Sequence, residues 1–363
     1  MRRILFVLLL LCCSSAACAY DFEALSPSGH RLCFQILSAA DHTCGVVHAD
    51  GVQPSGHLVV PQRVAFQEEE YRVVALISTL DACTGFHGAF DRCDQLLSIS
   101  LPDGLRSVGD HSFGGCSALE SVSLPESVSY LGVEAFADCV SLRQVFLPSA
   151  LVALPHGLFR GCSLLEEVAL PASLDTVGDY AFSGCLSLTQ VALPSTLRHV
   201  GEAAFSGSVA LQQVVLPEGV EYLGEYAFYR CVSLLSVVSL SLVPPLVEGG
   251  GTFQGVPDSA VLRVPAAAVE SYRTAFGWNR FARVIPYEGC PVASPSASDL
   301  SLQVCGRTLW VRSPRAVGLR LLDVWGREVA SSPSATMAVF HLPQGGLYLL
   351  LSQHGAPRKV LLR

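Results

Sequence analysis

The sequence of 363 residues predicts a mainly β fold, in which a solenoid of 23-residue repeats is followed by a small carboxy-terminal β-sandwich. Phenylalanine recurs with this period along the middle of the chain, and cysteine, leucine and the dipeptide Leu-Pro keep the same register. The periodic positions are Phe90, Phe113, Phe136, Phe159, Phe182, Phe205 and Phe228; Cys93, Cys116, Cys139, Cys162, Cys185 and Cys231, with Ser208 in the single gap; Leu96, Leu119, Leu142, Leu165, Leu188, Leu211 and Leu234; and Pro102, Pro125, Pro148, Pro171, Pro194 and Pro217. Because four residue types stay in register, each repeat is expected to form one coil of a stack.

The composition excludes several classes of protein. Half of the residues are hydrophobic, only 15% are charged and the formal net charge is −8, so a disordered chain is excluded. Lys359 is the only lysine and basic clusters are missing, so binding to nucleic acid is not expected. The glycine run Gly249–Gly251 lacks the lysine that follows a phosphate-binding loop, and we expect no cofactor.

The start of the chain predicts export. In residues 1–19, Arg2 and Arg3 precede a short apolar run, and Ala19 ends a stretch of small residues. This is the pattern of a secretory signal peptide cleaved after Ala19, and the run is too short to span a bilayer. The alternative is that Cys18 is a lipidated cysteine.

One repeat illustrates the predicted coil. Residues 119–124 are short, apolar at alternate positions and followed by Pro125, so they predict one strand per coil. Val122 and Leu124 share the inner face, and Ser121 and Ser123 point outward. Pro125 ends the strand because it has no N–H to donate, and Gly132 is expected to allow a backbone turn on the return path.

The repeated pattern resembles the bacterial leucine-rich repeats of the BspA type: Leu-Pro, then Val or Leu, Gly, Ala-Phe, Gly-Cys and Ser-Leu. The resemblance implies an amino-terminal β cap with a first irregular repeat in residues 20–88, regular repeats in residues 89–247 and a carboxy-terminal cap in residues 248–287. It also implies a role in adhesion. The sequence departs from the pattern at an expected insertion in residues 77–88, at Pro155 in place of glycine, and after Val238, where the register breaks.

The end of the chain predicts a second export signal. Residues 288–298 are rich in Pro, Ser and Ala, as in a linker, and residues 299–363 contain short apolar runs between turns, as in a small β-sandwich. Three motifs in this segment resemble the carboxy-terminal sorting domain of the type IX secretion system of Bacteroidetes. They contain Asp323, Gly326 and Arg327; Gly346 and Tyr348; and Lys359 and Arg363. The resemblance implies that the type IX machinery is a partner and that the protein is secreted or attached at the outer-membrane surface.

The periodic cysteines are expected to be buried free thiols, because side chains that point the same way in a column suit a disulfide poorly. The serine in the same column indicates a site for a small, slightly polar residue. A bridge between Cys33 and Cys44 and another between Cys290 and Cys305 stay open, and Cys83 has no assigned partner. We expect no metal site, since no C-x-x-C pair or histidine cluster accompanies the column.

Catalysis is not expected. The sequence has no H-E-x-x-H motif and no G-x-S-x-G nucleophile elbow. Glu166 and Glu167 are adjacent, so on a strand they diverge and make a poor acid–base pair. We therefore predict a protein that is not an enzyme.

The outward positions of the predicted strands form the candidate binding face, which solenoids commonly use. A column from Ser100 to Val238 becomes more apolar toward the carboxy-terminal coils. The alternative is that these residues only keep the sheet soluble. The candidate residues are Glu120, Arg143, Gln144, Phe146, Glu166, Glu167, Gln190 and Gln213. Four tyrosines on the return loops could instead stack on sugars or pack locally: Tyr130, Tyr180, Tyr222 and Tyr226.

Together these features predict a non-catalytic, secreted or cell-surface protein that adheres to host or neighbouring cells by binding their surface proteins or glycans. The alternative is a surface module that captures glycans or peptides for nutrient uptake.

Overall fold

The computed structural model describes residues 20–48, 51, 53–81, 85–287, 301–305, 308–322, 328–341, 346–352 and 355–362. The predicted signal peptide and linker lie outside these residues, as do Cys18, Cys83, Cys290, Asp323, Gly326, Arg327 and Arg363. In chain order the strands are β1 (Phe22–Leu25), β2 (Arg31–Ser38), β3 (Thr43–Val47), β4 (Gly56–Val59), β5 (Arg63–Phe66), β6 (Glu69–Ile77), β7 (Thr79–Asp81), β8 (Gly85–His87), β9 (Leu96–Ser100), β10 (Ser107–Val108), β11 (Ser121–Ser123), β12 (Tyr130–Leu131), β13 (Gln144–Phe146), β14 (Ala153–Leu154), β15 (Thr176–Val177), β16 (His199–Val200), β17 (Gln213–Leu216), β18 (Tyr222–Leu223), β19 (Ser236–Ser239), β20 (Leu246–Val247), β21 (Val261–Val264), β22 (Arg283–Pro286), β23 (Ser301–Cys305), β24 (Thr308–Leu322), β25 (Glu328–His341), β26 (Gly346–Ser352) and β27 (Gly355–Leu362). A 3-10 helix (Ala266–Ala268) and helix α1 (Val269–Thr274) lie between β21 and β22. Within the described residues, no helix has the length and apolar character needed to cross a membrane.

The amino-terminal cap closes one end of the solenoid core. Strands β1, β2 and β3 are antiparallel, and β3 pairs in parallel with β6, which continues into the coils through β10 and β12. Phe22 stacks on Phe34 and Phe66, with ring centroids 5.3 and 4.6 Å apart, and so covers the first coil with aromatic surface. The expected insertion after Ile77 contains the antiparallel pair β7–β8.

Most regular coils contribute strands to two parallel ladders, so the prediction of one strand per coil is wrong for them; the coils that contain β15 and β16 have a strand in the second ladder only. Each ladder consists of two sheets, and the breaks follow β13 in the first ladder and β12 in the second. The first ladder contains β4, β9, β11, β13, β17, β19, β21 and β22; the second contains β6, β10, β12, β14, β15, β16, β18 and β20. The second ladder lies on the return path, where most coils contribute only two residues. A two-residue strand is too short to show the alternation by which strands are recognised in a sequence.

The third side of each coil, here called the Phe turn, surrounds the periodic phenylalanine. Seven phenylalanines from Phe90 to Phe228 and then Phe253 form one fully buried row, with neighbouring ring centroids 5.0–5.7 Å apart. Backbone bonds join adjacent turns, as between Phe136 N and Leu158 O at 3.0 Å. The stack therefore has a continuous aromatic core, as the 23-residue period predicts.

The periodic cysteines are buried free thiols, as predicted. Each thiol from Cys116 onward donates to the phenylalanine carbonyl of the preceding coil at 3.1–3.3 Å, and the Ser208 hydroxyl makes the same bond to Phe182 O at 3.1 Å. Burial raises the pKa of the Cys93 and Cys231 thiols to about 12. These thiols stay protonated at neutral pH and are poor nucleophiles.

The structure decides the Cys33–Cys44 bridge that the sequence left open, and it gives Gly132 a role other than the expected turn. Cys33 lies opposite Val47 and Cys44 opposite Ile36, so alternation along the ladder places the two sulfurs on opposite faces and they do not bridge each other. Gly132 does not serve a left-handed turn; instead, a Cβ on it would lie 2.3 Å from the backbone nitrogen of Asp110 in the preceding coil. Its role is close packing between coils.

At the carboxy-terminal cap the aromatic row continues across the break in register. Phe253 follows Phe228 by two residues more than the regular period, yet the two rings still stack at 5.5 Å. Trp278 packs on Phe253 at 5.2 Å, and its indole N–H donates to Pro245 O at 2.9 Å. The Tyr272 hydroxyl lies 2.7 Å from the Ser239 hydroxyl. These contacts cover the last coil.

The carboxy-terminal segment contains five antiparallel strands. The first part of strand β24 pairs with β23, and its last part pairs with β26. Strand β25 pairs with both parts of β24, and the register of this pairing shifts between Arg312 and Val317. Strand β26 also pairs with β27, which brings Gly346 opposite Leu362.

Candidate functional site

The candidate binding face is built by the first ladder. In β11 and β13 the middle valine points into the core and the residues on either side are exposed. Parallel pairing puts Ser121 beside Gln144 and Ser123 beside Phe146. Side chains 23 residues apart therefore stand next to each other across the coils.

The structure leaves most predicted face residues accessible to solvent. Gln213 is half-buried, and the others are exposed: Glu120, Arg143, Gln144, Phe146, Glu166, Glu167 and Gln190. Of the exposed residues, only Gln144 and Phe146 lie within a strand of the first ladder.

An ion pair crosses this face. Arg143 Nη1 lies 3.0 Å from Glu166 Oε1, and both side chains are more than half exposed. An exposed pair of this kind contributes little to stability, about 0–1 kcal/mol, but it orients both side chains and balances their charges. This pair could have been predicted from the sequence, because opposite charges one period apart become neighbours in the stack. Arg198 and Glu221 form the same kind of ion pair, with 2.7 Å between the guanidinium nitrogen and the carboxylate oxygen.

Phe146 is the most exposed aromatic side chain of the first ladder, at 56%. Its neighbours in the same column are Ser123 on one side and Ala169 on the other. Since both neighbours are small, the ring stands clear of the adjacent coils.

The predicted apolar strip does not continue to the carboxy-terminal coils. Val215 is half-buried and Val238 is 2% exposed. In β19, Val237, Val238 and Ser239 are all buried, and Ser239 contacts Tyr272 from the cap. The prediction of an exposed apolar strip is therefore wrong at this end, because β19 lies beside β21 and buries Val238.

The candidate tyrosines make local contacts. The Tyr180 hydroxyl donates to Glu202 Oε1 at 2.6 Å, and the Tyr222 hydroxyl donates to Glu248 Oε2. The hydrogen bond to Glu248 raises the pKa of Tyr222 to about 12. Tyr130 and Tyr226 are exposed. Two of the four tyrosines are thus held by carboxylates of the next coil.

Part of the predicted sorting segment lies within the described strands. Gly346 and Tyr348 are in β26 and Lys359 is in β27, and Tyr348 pairs with Val360 across the ladder. The described residues of the second and third motifs are therefore on neighbouring antiparallel strands.

The face offers hydrogen-bonding amides, an ion pair and one aromatic ring. In the described part of the chain, no group of three or more His, Cys, Asp or Glu side chains is arranged to hold a metal ion. Such a surface can bind a partner through shape and polar contacts.

Comparison with known proteins identifies the repeats. Residues 87–208 and 153–243 match the family described as "BspA type Leucine rich repeat region", in six copies. No curated protein matches the chain.

Three solved structures are similar to this chain. A leucine-rich repeat protein from Bacteroides ovatus is 22% identical, with 74% of this chain and 77% of that chain covered and a TM-score of 0.46. A leucine rich cell surface protein from Faecalibacterium prausnitzii is 22% identical, with coverage of 69% and 72% and a TM-score of 0.49. A leucine-rich repeat protein from T. pallidum is 26% identical, with coverage of 61% and 90% and a TM-score of 0.47.

Proposed function

We propose, from the match of residues 87–243 to the BspA-type leucine-rich repeat family, that this chain is a non-catalytic protein of the cell surface that binds other macromolecules. Its partners are surface proteins of host or neighbouring cells, and its role is adhesion. The observation that carries this proposal is the exposed ring of Phe146 on an otherwise mostly polar strand face.

The surroundings of Phe146 fit a protein partner. Binding energy at protein interfaces is concentrated in a few aromatic anchors, around which polar contacts exclude water. Ser123 and Ala169 leave room for a partner on both sides of the ring, and Gln144 and the Arg143–Glu166 pair supply polar groups beside it. Burying the ring would contribute about 1.5–3 kcal/mol.

Export to the surface is part of the proposal. Residues 1–19 have the composition of a secretory leader, and the three terminal motifs resemble those read by the type IX secretion machinery. The protein is then released or retained at the outer-membrane surface after the leader is removed.

Binding of the full chain to immobilised extracellular-matrix and bacterial surface proteins tests the face. We expect Phe146→Ala to weaken the strongest interaction by about tenfold, which is about 1.4 kcal/mol. Leu186→Ala is the matched control, because Leu186 is a 48% exposed apolar residue in the turn after Cys185 rather than in the first ladder. It should leave binding unchanged.

Equal binding by the wild type and the Phe146→Ala variant would remove the face from the proposal. Preferential binding to a glycan array, with loss on Tyr130→Ala or Tyr226→Ala, would favour glycan capture instead.

The export proposal is tested separately. Deletion of residues 299–363 should leave the protein in the periplasm, as measured by cell fractionation and surface labelling. Normal surface display of the truncated chain would contradict a sorting role.

A further inference from the structure

The second ladder stops after β12 and restarts with β14 in one coil, residues 143–165, here called the joint coil. The first ladder also stops in this coil, after β13, but restarts only with β17. Its strand β13 pairs only with β11 on the amino-terminal side, and its strand β14 pairs only with β15 on the carboxy-terminal side. Within the described coils, the isolated bridge between Phe146 and Ala169 is the only further strand contact at this point. The coils before the joint coil are paired in both ladders, whereas the two coils between it and β17 are paired through β15 and β16 in the second ladder only.

The gap in the second ladder has a chemical cause. In the regular coils a glycine donates its backbone N–H to the preceding coil: Gly132 to Val108 O at 2.8 Å and Gly178 to Leu154 O at 3.0 Å. The joint coil has Pro155 at this position, and proline has no N–H to donate. The bond between these coils is therefore lost.

A second set of bonds is missing at the same boundary. The Ser173 hydroxyl lies 2.9 and 2.7 Å from two carbonyls of the preceding coil, and the Thr196 hydroxyl has two equivalent bonds at 2.9 and 2.7 Å. The joint coil has Ala150 at this position, which has no donor. Backbone pairing changes as well: Asp175 N bonds to Val152 O at 2.7 Å, but the strands β12 and β14 are not paired with each other.

The other two sides of this boundary stay closed. The first ladder keeps three residue pairs between β11 and β13. In the Phe turn, Glu134 N bonds to His156 O at 2.9 Å, and Arg160 lies 3.0 Å from Glu134. Phe136 and Phe159 are 5.7 Å apart, the widest spacing in the row. The boundary is thus attached on two sides. On the third side strand pairing is missing, and the hydrogen bonds from Ser149 to the Glu126 carboxylate, at 2.9 and 2.7 Å, remain.

We propose that the joint coil is a bending point of the solenoid. The coils before and after it move as two stiff bodies, which pivot on the first ladder and the Phe turn and open along the second ladder. Because β13 carries Gln144 and Phe146, this bending changes the curvature of the sheet face and adapts it to the shape of a partner. The inference depends on the backbone of the coil and not on the identity of any ligand.

The test compares the wild-type chain with a repaired variant that carries Ala150→Ser and Pro155→Gly. Spin labels on unnatural amino acids at Asp103 and Glu218, both exposed, report the distance across five coil boundaries without touching the buried thiols. Five strand spacings predict a mean distance of about 24 Å. We expect the wild-type distance distribution to be roughly 1.5-fold broader than that of the repaired variant.

Hydrogen exchange shows whether the repair closed the gap. In the repaired variant the Val152 amide should exchange about tenfold more slowly than in the wild type, approaching the rate of the bonded Asp175 amide. Equal distance distributions in the presence of a protected Val152 amide would overturn the bending proposal. An unprotected Val152 amide would overturn the assignment of the gap to Ala150 and Pro155.

Discussion

Truncation of Phe159 to alanine tests the aromatic row that the repeats build. Its ring is fully buried between Phe136 at 5.7 Å and Phe182 at 5.5 Å. Removing a buried phenylalanine ring costs about 3–5 kcal/mol, because transfer free energy is lost and a cavity remains. In a stacked array the cost should lie in this range, since the neighbouring rings are fixed by their own coils and cannot collapse into the gap.

Urea unfolding followed by far-ultraviolet circular dichroism measures this loss. With a slope of about 3 kcal/mol per molar urea, the midpoint should fall by roughly 1–1.7 M. Phe276→Ala is the matched control, because it removes the same ring from a site that is 64% exposed, and it should change the midpoint very little. A loss below about 1 kcal/mol for Phe159→Ala would refute the reasoning, because it would mean that the ring is not packed in a column.

Three further outcomes are expected. Gly132→Ala should destabilise the chain by about 1–3 kcal/mol in the same assay, because the new Cβ would meet the backbone of the preceding coil. Gly104→Ala is the control and should be neutral, because the space around Gly104 is open. Equal effects of the two substitutions would contradict close packing at Gly132. Hydrogen bonds from the backbone and side chain of Ser149 lower the pKa of Glu126 in the folded chain. The ionised carboxylate therefore stabilises the fold at any pH above its pKa in the unfolded chain. This stability is lost as the pH falls through the lower pKa of the folded chain. Thermal unfolding between pH 7 and pH 3 should therefore show a smaller loss for Glu126→Gln than for the wild type, and parallel profiles would contradict this. The column thiols should react with a thiol reagent only after unfolding, because burial raises their pKa; rapid reaction in the native state would contradict their burial.

The period predicted the architecture because one set of side chains serves every coil. The inward valines and leucines, the phenylalanine row and the buried thiols all lie where the repeat places them. Even the exchange of cysteine for Ser208 is explained by one geometry, a donor aimed at the phenylalanine carbonyl of the preceding coil.

The parts that the sequence did not predict depend on contacts between coils. The second ladder was missed because its strands are mostly two residues long, and the role of Gly132 because close approach of the preceding backbone leaves no local pattern. Val238 is buried although earlier members of its column, such as Phe146, are exposed, so its burial does not follow from the period. The Arg143–Glu166 pair, in contrast, could have been found by comparing charges one period apart.

A crystal structure of the chain tests the central claim, that side chains one period apart stand side by side in a single stack. The account predicts an unbroken row of buried rings from Phe90 to Phe253, with centroids 5.0–5.7 Å apart and Phe146 exposed on the first ladder. Electron density with these rings scattered through separate cores, or with Phe146 buried, would contradict it.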